Sequence, residues 1–173
     1  MKPGWREKLS ALRAAAALQP ELAMVFSAAA AGAPKTFLHS LAANHRWLPS
    51  GYLDFLRETD GASLDFTLFG GSGHSTFPSL SGLQKTWAPS APTGAGLVIG
   101  QTADSGIFLA QDGHVLLFGA EPSERPSPLA DSFDSLLGDV LMGEEYLRLY
   151  PRGTFEDNAW LGLLERNGWL TKR

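Results

Sequence analysis

The chain has 173 residues, of which 44% are hydrophobic and 18% charged, so it can bury one sizeable core or form one domain with an appendage. It contains no cysteine, which excludes a disulfide framework, a thiolate metal site and a cysteine nucleophile. The net charge of -4 is unevenly distributed, because residues 58–147 hold twelve Asp and Glu against two Lys and Arg, and this excess argues against direct nucleic-acid binding by that segment.

The N-terminal region shows the apolar spacing of amphipathic helices. Residues 5–16 and residues 22–29 each match one helical face. Pro20 separates the two predicted helices, because proline fits the first turn of a helix and disrupts its interior. Residues 38–45 predict a third helix, with His45 as a surface or cap residue. Polar residues interrupt every apolar run, so neither a secretion signal nor a membrane span is predicted, and we expect a cytoplasmic protein.

The next segment predicts one helix, one strand and a second helix. The helix opens at Leu48-Pro49-Ser50, has Tyr52 to Thr59 with apolar helical spacing, and ends at Asp60-Gly61, where Gly61 suits a left-handed cap. Residues 63–68 alternate between polar and apolar side chains, which is typical of a half-buried strand. Residues 70–74 form a glycine-rich loop, and residues 80–87 again have helical spacing.

Residues 96–118 predict an antiparallel meander of three short strands at the centre of the fold. Asp112 and Gly113 lie between two apolar runs, and an Asp-Gly pair in that position is a strong hairpin signal, since the turn requires positive φ. We expect this meander to belong to a sheet of about five or six strands.

The clearest helix follows the meander. Asp131 and Ser132 can cap it, and five apolar residues share one of its faces without a miss: Phe133, Leu136, Leu137, Val140 and Leu141. Residues 144–150 can continue the helical path, and a last short helix is predicted around Trp160, ending near Gly168.

A search for chemistry in the sequence finds little. The four histidines, His39, His45, His74 and His114, lack the spacing of metal ligands. Residues 70–73 lack the Lys-Ser/Thr pair of a phosphate-binding loop. No catalytic residue, metal ligand or cofactor site is therefore predicted. An enzyme would require a pocket that holds His74 or His114 beside carboxylates.

The order of elements resembles the SUKH superfamily, which includes a yeast cell-wall regulator and many bacterial immunity proteins. The succession is LPSGYLDFLRETDG, an alternating strand, GLVIG, LAQDGHVLLF and LADSFDSLLGDVL, and it covers about residues 47–142. The matching positions are Leu48, Pro49, Tyr52, Phe55, Leu56, Gly61, Ile99, Gly100, Asp112, Gly113, Val115, Ser132, Phe133 and Leu137.

This resemblance implies an α+β fold with a mostly antiparallel central sheet flanked by helices and no catalytic machinery. Residues 1–46 are then a helical N-terminal extension, residues 47–150 the SUKH-like domain, and residues 151–173 a helical tail packed on that domain. The implied function is non-catalytic protein binding, as an immunity protein that neutralises a bacterial toxin domain. The alternatives are a regulatory adaptor of the same fold and, less favoured, a small hydrolase. The oligomeric state stays open.

The acidic middle segment predicts the partner-binding surface. The candidate residues are Asp65, Asp104, Asp112, Glu121 and Glu124, which we place on the solvent face of the sheet or in its turns. Complementary charge would speed the encounter with a basic toxin face. The alternative is that these acids keep a small domain soluble.

The tryptophans are candidate binding anchors, because this residue is favoured at interfaces as well as in cores. Trp47 and Trp160 lie on apolar faces and are expected in the core. Trp5, Trp87 and Trp169 lie near the ends of elements, and one of these is expected to be exposed.

Overall fold

A computed structural model describes residues 3–122, 124–149 and 159–171 of the chain. Among these residues, the helices are α1 (Trp5–Leu18), α2 (Lys35–Asn44), α3 (Ser50–Glu58), α4 (Leu80–Trp87), α5 (Phe133–Ser135), α6 (Tyr146–Leu149) and α7 (Ala159–Arg166). The strands are β1 (Phe26–Ala28), β2 (Ala62–Leu64), β3 (Thr67–Phe69), β4 (Gly96–Gln101), β5 (Ser105–Ala110), β6 (Val115–Gly119) and β7 (Ser127–Ala130). A 3₁₀ turn (Pro20–Met24) precedes β1, and a π-helix (Leu136–Leu141) continues α5.

The seven strands form one sheet in chain order, and every neighbouring pair is antiparallel. The predicted α+β fold with an antiparallel central sheet, flanking helices and a helical N-terminal region is therefore confirmed. The Asp112-Gly113 hairpin is also confirmed, because β5 and β6 flank it in the register Leu109 to Val115 and Gly113 has φ of +93°.

Residues 22–29 do not form the predicted helix. The 3₁₀ turn ends at Met24, and Phe26–Ala28 pairs with β2 as the first strand of the sheet. Helical apolar spacing over eight residues is also compatible with a turn followed by a short strand, and pairing with a distant strand decided between them. This strand brings the sheet beyond the five or six strands that the sequence predicts.

The prediction of a single strand over residues 63–68 is also wrong. The chain turns tightly at Asp65, which has φ of +53°, so β2 and β3 form a hairpin. Aspartate tolerates the left-handed region because its short polar side chain can hydrogen-bond locally. The turn reverses the expected sides, so that Thr67 is buried and Phe66 is 49% exposed.

The helices pack on the sheet around one core, which contains buried side chains from Trp5 in α1 to Leu170 after α7. Phe55 in α3 makes edge-to-face contacts with Trp5, Phe69 and Phe133, at centroid distances of 6.2, 5.5 and 5.4 Å. The N-terminal and C-terminal helices therefore share a core with the sheet.

The closing helix has the buried face that its sequence predicts, but most of it is the π-helix. Its cap is confirmed, because the Ser132 hydroxyl accepts a hydrogen bond from the Ser135 amide at 3.1 Å. The buried Lys8 of α1 donates from Nζ to the carbonyl oxygens of Gly138 and Met142, both at 2.7 Å. This lysine holds α1 against the wider π turns.

The prediction of an exposed tryptophan is wrong. Trp5, Trp87 and Trp169 are 6%, 8% and 9% exposed, because ends of elements in this fold are covered by neighbouring helices or rings. Trp87 packs edge-on against Phe118 at 5.4 Å. Trp160 is in the core as predicted, whereas Trp47 is only half-buried. The last helix is confirmed as α7, while residues 151–158, 172 and 173 of the predicted tail lie outside the described residues.

Candidate functional site

The direction of the strands places the predicted acidic residues. Strands alternate in direction along the sheet, so the connections after β2, β4 and β6 all lie at the same ends of the strands, which we call one edge of the sheet. These connections carry Asp65, Asp104, Glu121 and Glu124, a group that we name the carboxylate edge. Successive connections are two strands apart, or about 10 Å. The four acids therefore form a row across the ends of six strands.

Asp112 is separated from this row. It lies in the turn after β5, at the opposite edge of the sheet, where the segment after β7 brings Asp131. His114 Nδ1 lies 3.9 Å from the Asp131 carboxylate there, and both side chains are largely exposed. The five candidate residues thus lie on two opposite edges rather than on one surface.

Asp104 is oriented by its neighbours in the β4–β5 turn. Its Oδ1 accepts hydrogen bonds from the Thr102 and Ser105 hydroxyls, both at 3.1 Å. Its Oδ2 accepts none from the described residues. Because the side chain is exposed and fixed through one oxygen only, the other oxygen faces solvent in a defined position.

Glu121 and Glu124 lie in the connection between β6 and β7, and both are exposed. Neither forms an ion pair within the part of the chain that the structure describes, and the same holds for Asp104. Three exposed carboxylates outnumber the one cation of these connections, the exposed Arg125 beside Glu124, so the edge keeps a net negative potential.

Asp65 has a more structural position than the other three acids. Tyr146 of α6 donates its hydroxyl hydrogen bond to Asp65 Oδ2, and the Asp65 amide donates to the Val25 carbonyl at 2.7 Å. Burial raises the pKa of Asp65, against the opposing effect of the hydrogen bonds from Tyr146 and the Phe66 backbone. Asp65 therefore ties β1, β2 and α6 together.

Met24 extends the carboxylate edge with an apolar side chain. It precedes β1, which runs away from this edge, and its neighbour Val25 is bonded to Asp65. Met24 is 88% exposed. Methionine suits an adaptable protein contact because its side chain is unbranched and flexible. The sequence gives no signal for it, because residue 24 belonged to a predicted helix.

A pocket of about 250 Å³ opens beside Asp104, between the sheet and the helices α6 and π. Its apolar walls are Ile107, Leu117, Leu129, Leu141 and Leu149. Its polar rim is formed by Thr67, Thr102, Asp104 and Ser105. The sequence does not predict this pocket, because the alternation over residues 63–68 places the polar Thr67 on the solvent side of a single strand, whereas Thr67 begins β3 and is buried.

The histidines do not build a catalytic arrangement with acids in the described residues. Ser72 Oγ donates to Asp60 Oδ2 at 2.6 Å and lies 3.0 Å from His74 Nδ1. The serine therefore separates the exposed His74 from the buried carboxylate, whereas a nucleophilic triad places histidine between serine and the acid. Asp60 Oδ1 also accepts the Ser72 amide, so this group stabilises the glycine-rich loop.

The remaining observations concern metals, membranes and related proteins. The described residues contain no group of three side chains suited to bind a metal ion, and none of their helices has the length and apolarity to cross a membrane. Comparison with models of known protein families finds no match, and comparison with curated proteins finds none either. Any function must therefore be argued from the site itself.

Proposed function

We propose that the chain is a non-catalytic protein-binding module whose carboxylate edge covers a basic face of a protein partner. The observation that supports this most is the row of exposed Asp104, Glu121 and Glu124, on connections that the meander brings to one edge. The resemblance to the SUKH superfamily suggests the role of an immunity protein, in which the covered face is the substrate-binding face of a toxin domain. The toxin would then be inhibited by occlusion alone.

The two parts of this surface have different physical roles. Long-range attraction between the carboxylates and a basic face raises the association rate and selects the partner. Exposed ion pairs contribute little affinity, so an apolar anchor must supply much of it. Met24, with its 88% exposed and flexible side chain, and Phe66, 49% exposed beside Asp65, are the apolar anchors that the described edge provides.

Several geometric observations favour binding over catalysis. His74 contacts Ser72 rather than a carboxylate, and His114 and Asp131 are solvent-exposed at 3.9 Å on the opposite edge. General acid-base catalysis requires a positioned proton donor and acceptor within hydrogen-bond reach of a substrate. The exposed carboxylates at the carboxylate edge instead suit charge pairing with a protein partner.

The test compares two variants with the same change in net charge. The first carries Asp104→Asn, Glu121→Gln and Glu124→Gln. The matched control carries Asp112→Asn and Asp131→Asn at the opposite edge, with Asp139→Asn in the π-helix, and all three residues are exposed. The first partner to test is any toxin domain encoded immediately upstream of this chain, produced in inactive form. Association rates are measured by stopped-flow fluorescence at low and physiological salt.

We expect the first variant to associate about tenfold more slowly at low salt, with a much smaller difference at 0.15 M, where the Debye length is about 8 Å. The control should change the rate less than about twofold, since Asp112 and Asp131 lie at the opposite ends of β5 and β7, farther from the row than the Debye length. Equal slowing by both variants would mean that only net charge matters, and the docking surface would be wrong. Binding without protection of toxin-producing cells would favour a regulatory adaptor.

A further inference from the structure

The pocket beside Asp104 has the size and wall chemistry of a site for one side chain. Its volume is about 250 Å³, whereas pockets for small molecules and cofactors typically measure about 300–1,000 Å³. Five aliphatic side chains line it, from β5, β6, β7, the π-helix and α6. A cofactor would be too large for this space, but an aliphatic side chain fits it.

Thr67 places an unused hydroxyl in this pocket. The residue is 2% exposed, and its hydroxyl has no hydrogen-bond partner in the described part of the chain. Thr102 lines the same rim, but its hydroxyl is already bonded to Asp104. The Thr67 hydroxyl is not among the fully buried polar atoms, so it stays accessible from the pocket, and an occupant can replace its bond to solvent with a direct hydrogen bond of modest net value.

The carboxylate of Asp104 decides the charge of the occupant. It lies on the pocket rim, and its Oδ2 accepts no hydrogen bond from the described residues. The other acids of the carboxylate edge lie on both sides of it along the sheet. A group that enters the apolar space therefore passes a row of negative charges. A segment with a cation next to an aliphatic side chain is the complementary chemistry.

We propose that this pocket receives one aliphatic side chain of the basic partner, while a neighbouring Lys or Arg of that partner pairs with Asp104 and a backbone group bonds Thr67. The inference rests on the proposed function, since it assigns the pocket to the same partner. It adds a specific requirement, which is an aliphatic residue flanked by a cation. The pocket would thus supply affinity that the exposed charges alone do not.

The test uses short blocked peptides and the full chain. Methyl and amide resonances are followed by NMR during titration with N-acetyl-Leu-Lys amide, with N-acetyl-Leu-Glu amide, and with N-acetyl-Gly-Lys amide. We expect the Leu-Lys peptide to shift the methyl resonances of Leu117, Leu129 and Leu149 in a saturable manner. The Leu-Glu peptide should bind about threefold to fivefold more weakly, and the Gly-Lys peptide should not shift these methyls.

Variants of the chain test the two polar contacts. Thr67→Val keeps the shape of the side chain and removes the hydroxyl, and we expect it to weaken binding of the Leu-Lys peptide about fivefold. Asp104→Asn should abolish the preference for lysine over glutamate. Asp112→Asn, at the opposite edge, should leave both affinities unchanged. Because Asp104 is exposed, its variant keeps the proposal testable even if Thr67→Val unfolds.

The proposal is overturned if the peptide shifts map elsewhere, if Leu-Lys and Leu-Glu bind equally, or if Thr67→Val binds as tightly as the original chain. These outcomes are separable from failure of the proposed function. Slow association of the triple carboxylate variant with its partner, together with no peptide binding, would refute the pocket alone. Peptide binding without any effect of the triple variant on the partner would refute the docking surface alone.

Discussion

Tyr52 provides the sharpest test of the core. This residue of α3 has a completely buried side chain, and its hydroxyl oxygen has no hydrogen-bond partner in the described structure. The ring packs edge-on against Phe133 at 5.0 Å. A buried hydroxyl without a partner costs about 1–3 kcal/mol, while the one-atom void left by its removal costs a few tenths of a kcal/mol, on the order of cavity terms for small deletions.

Tyr52→Phe should therefore raise the free energy of unfolding by about 1–2 kcal/mol, which corresponds to a rise in Tm of about 2–8 °C for a chain of this size. Urea unfolding followed by tryptophan fluorescence measures it, with an unchanged m-value as the check on two-state behaviour. Tyr146→Phe is the matched control. It removes the hydroxyl that donates to Asp65 and should cost about 1–2 kcal/mol.

The pH dependence of the free energy of unfolding is a second test of Tyr52. Burial raises the pKa of Tyr52, so the folded state favours the neutral phenol. The resulting contribution is complete below the pKa of an unfolded tyrosine, about 10, and is lost as the pH rises above it. Tyr52→Phe should lose less stability than the original chain above that pH. If Tyr52→Phe instead lowers the free energy of unfolding by 1 kcal/mol or more at neutral pH, about the net value of one hydrogen bond, then the hydroxyl has a partner and the reasoning is refuted.

Three further variants test the contacts that position the edge and the helices. Asp65→Asn should be more stable than the original chain at pH 7 and should lose that advantage near pH 3, because the raised pKa of Asp65 reflects a cost of its charged form in the folded state. Urea unfolding at both pH values measures the difference in stability. A difference that grows on acidification would contradict the prediction. Lys8→Met leaves the Gly138 and Met142 carbonyls without their donor and should cost about 2–4 kcal/mol, whereas exposed Lys35→Met should stay within about 0.5 kcal/mol. Gln84→Ala removes both side-chain hydrogen bonds to the Val98 backbone, at 2.7 and 3.2 Å, so amide exchange at Val98 should accelerate, while Lys85→Ala, exposed in the same helix, should leave it unchanged.

The sequence predicts those parts of the fold that local chemistry determines. The Asp112-Gly113 hairpin follows from the positive φ that such a turn requires, and the closing helix follows from its cap and its unbroken apolar face. The turn at Asp65 was missed because alternation of side chains looks the same on one strand of six residues and on two short strands around a left-handed residue. The strand Phe26–Ala28 was missed because only pairing with distant β2 defines it.

The candidate site shows the same division. The charge count predicts the sign of the surface but not its location. The separation of Asp112 from Asp104 follows from the predicted meander itself, because consecutive turns of an antiparallel sheet lie at opposite edges. Assigning Asp65 to the same edge as Asp104 required the missed turn. The pocket required the three-dimensional structure, because its walls come from five elements that are distant in sequence.

The π-helix explains why this pocket exists before a partner arrives. Leu141, the last residue of the π-helix, forms one wall, and its carbonyl accepts a hydrogen bond from the fully buried Trp160 of α7 at 2.9 Å. The opposite walls, Ile107 and Leu117, are paired neighbours on β5 and β6. Because both sides are fixed by the core, an entering side chain orders little of the protein, and a preformed site loses less entropy on binding. Association should then depend mainly on the carboxylates and dissociation on the pocket, so carboxylate variants should change the association rate and Thr67→Val the dissociation rate.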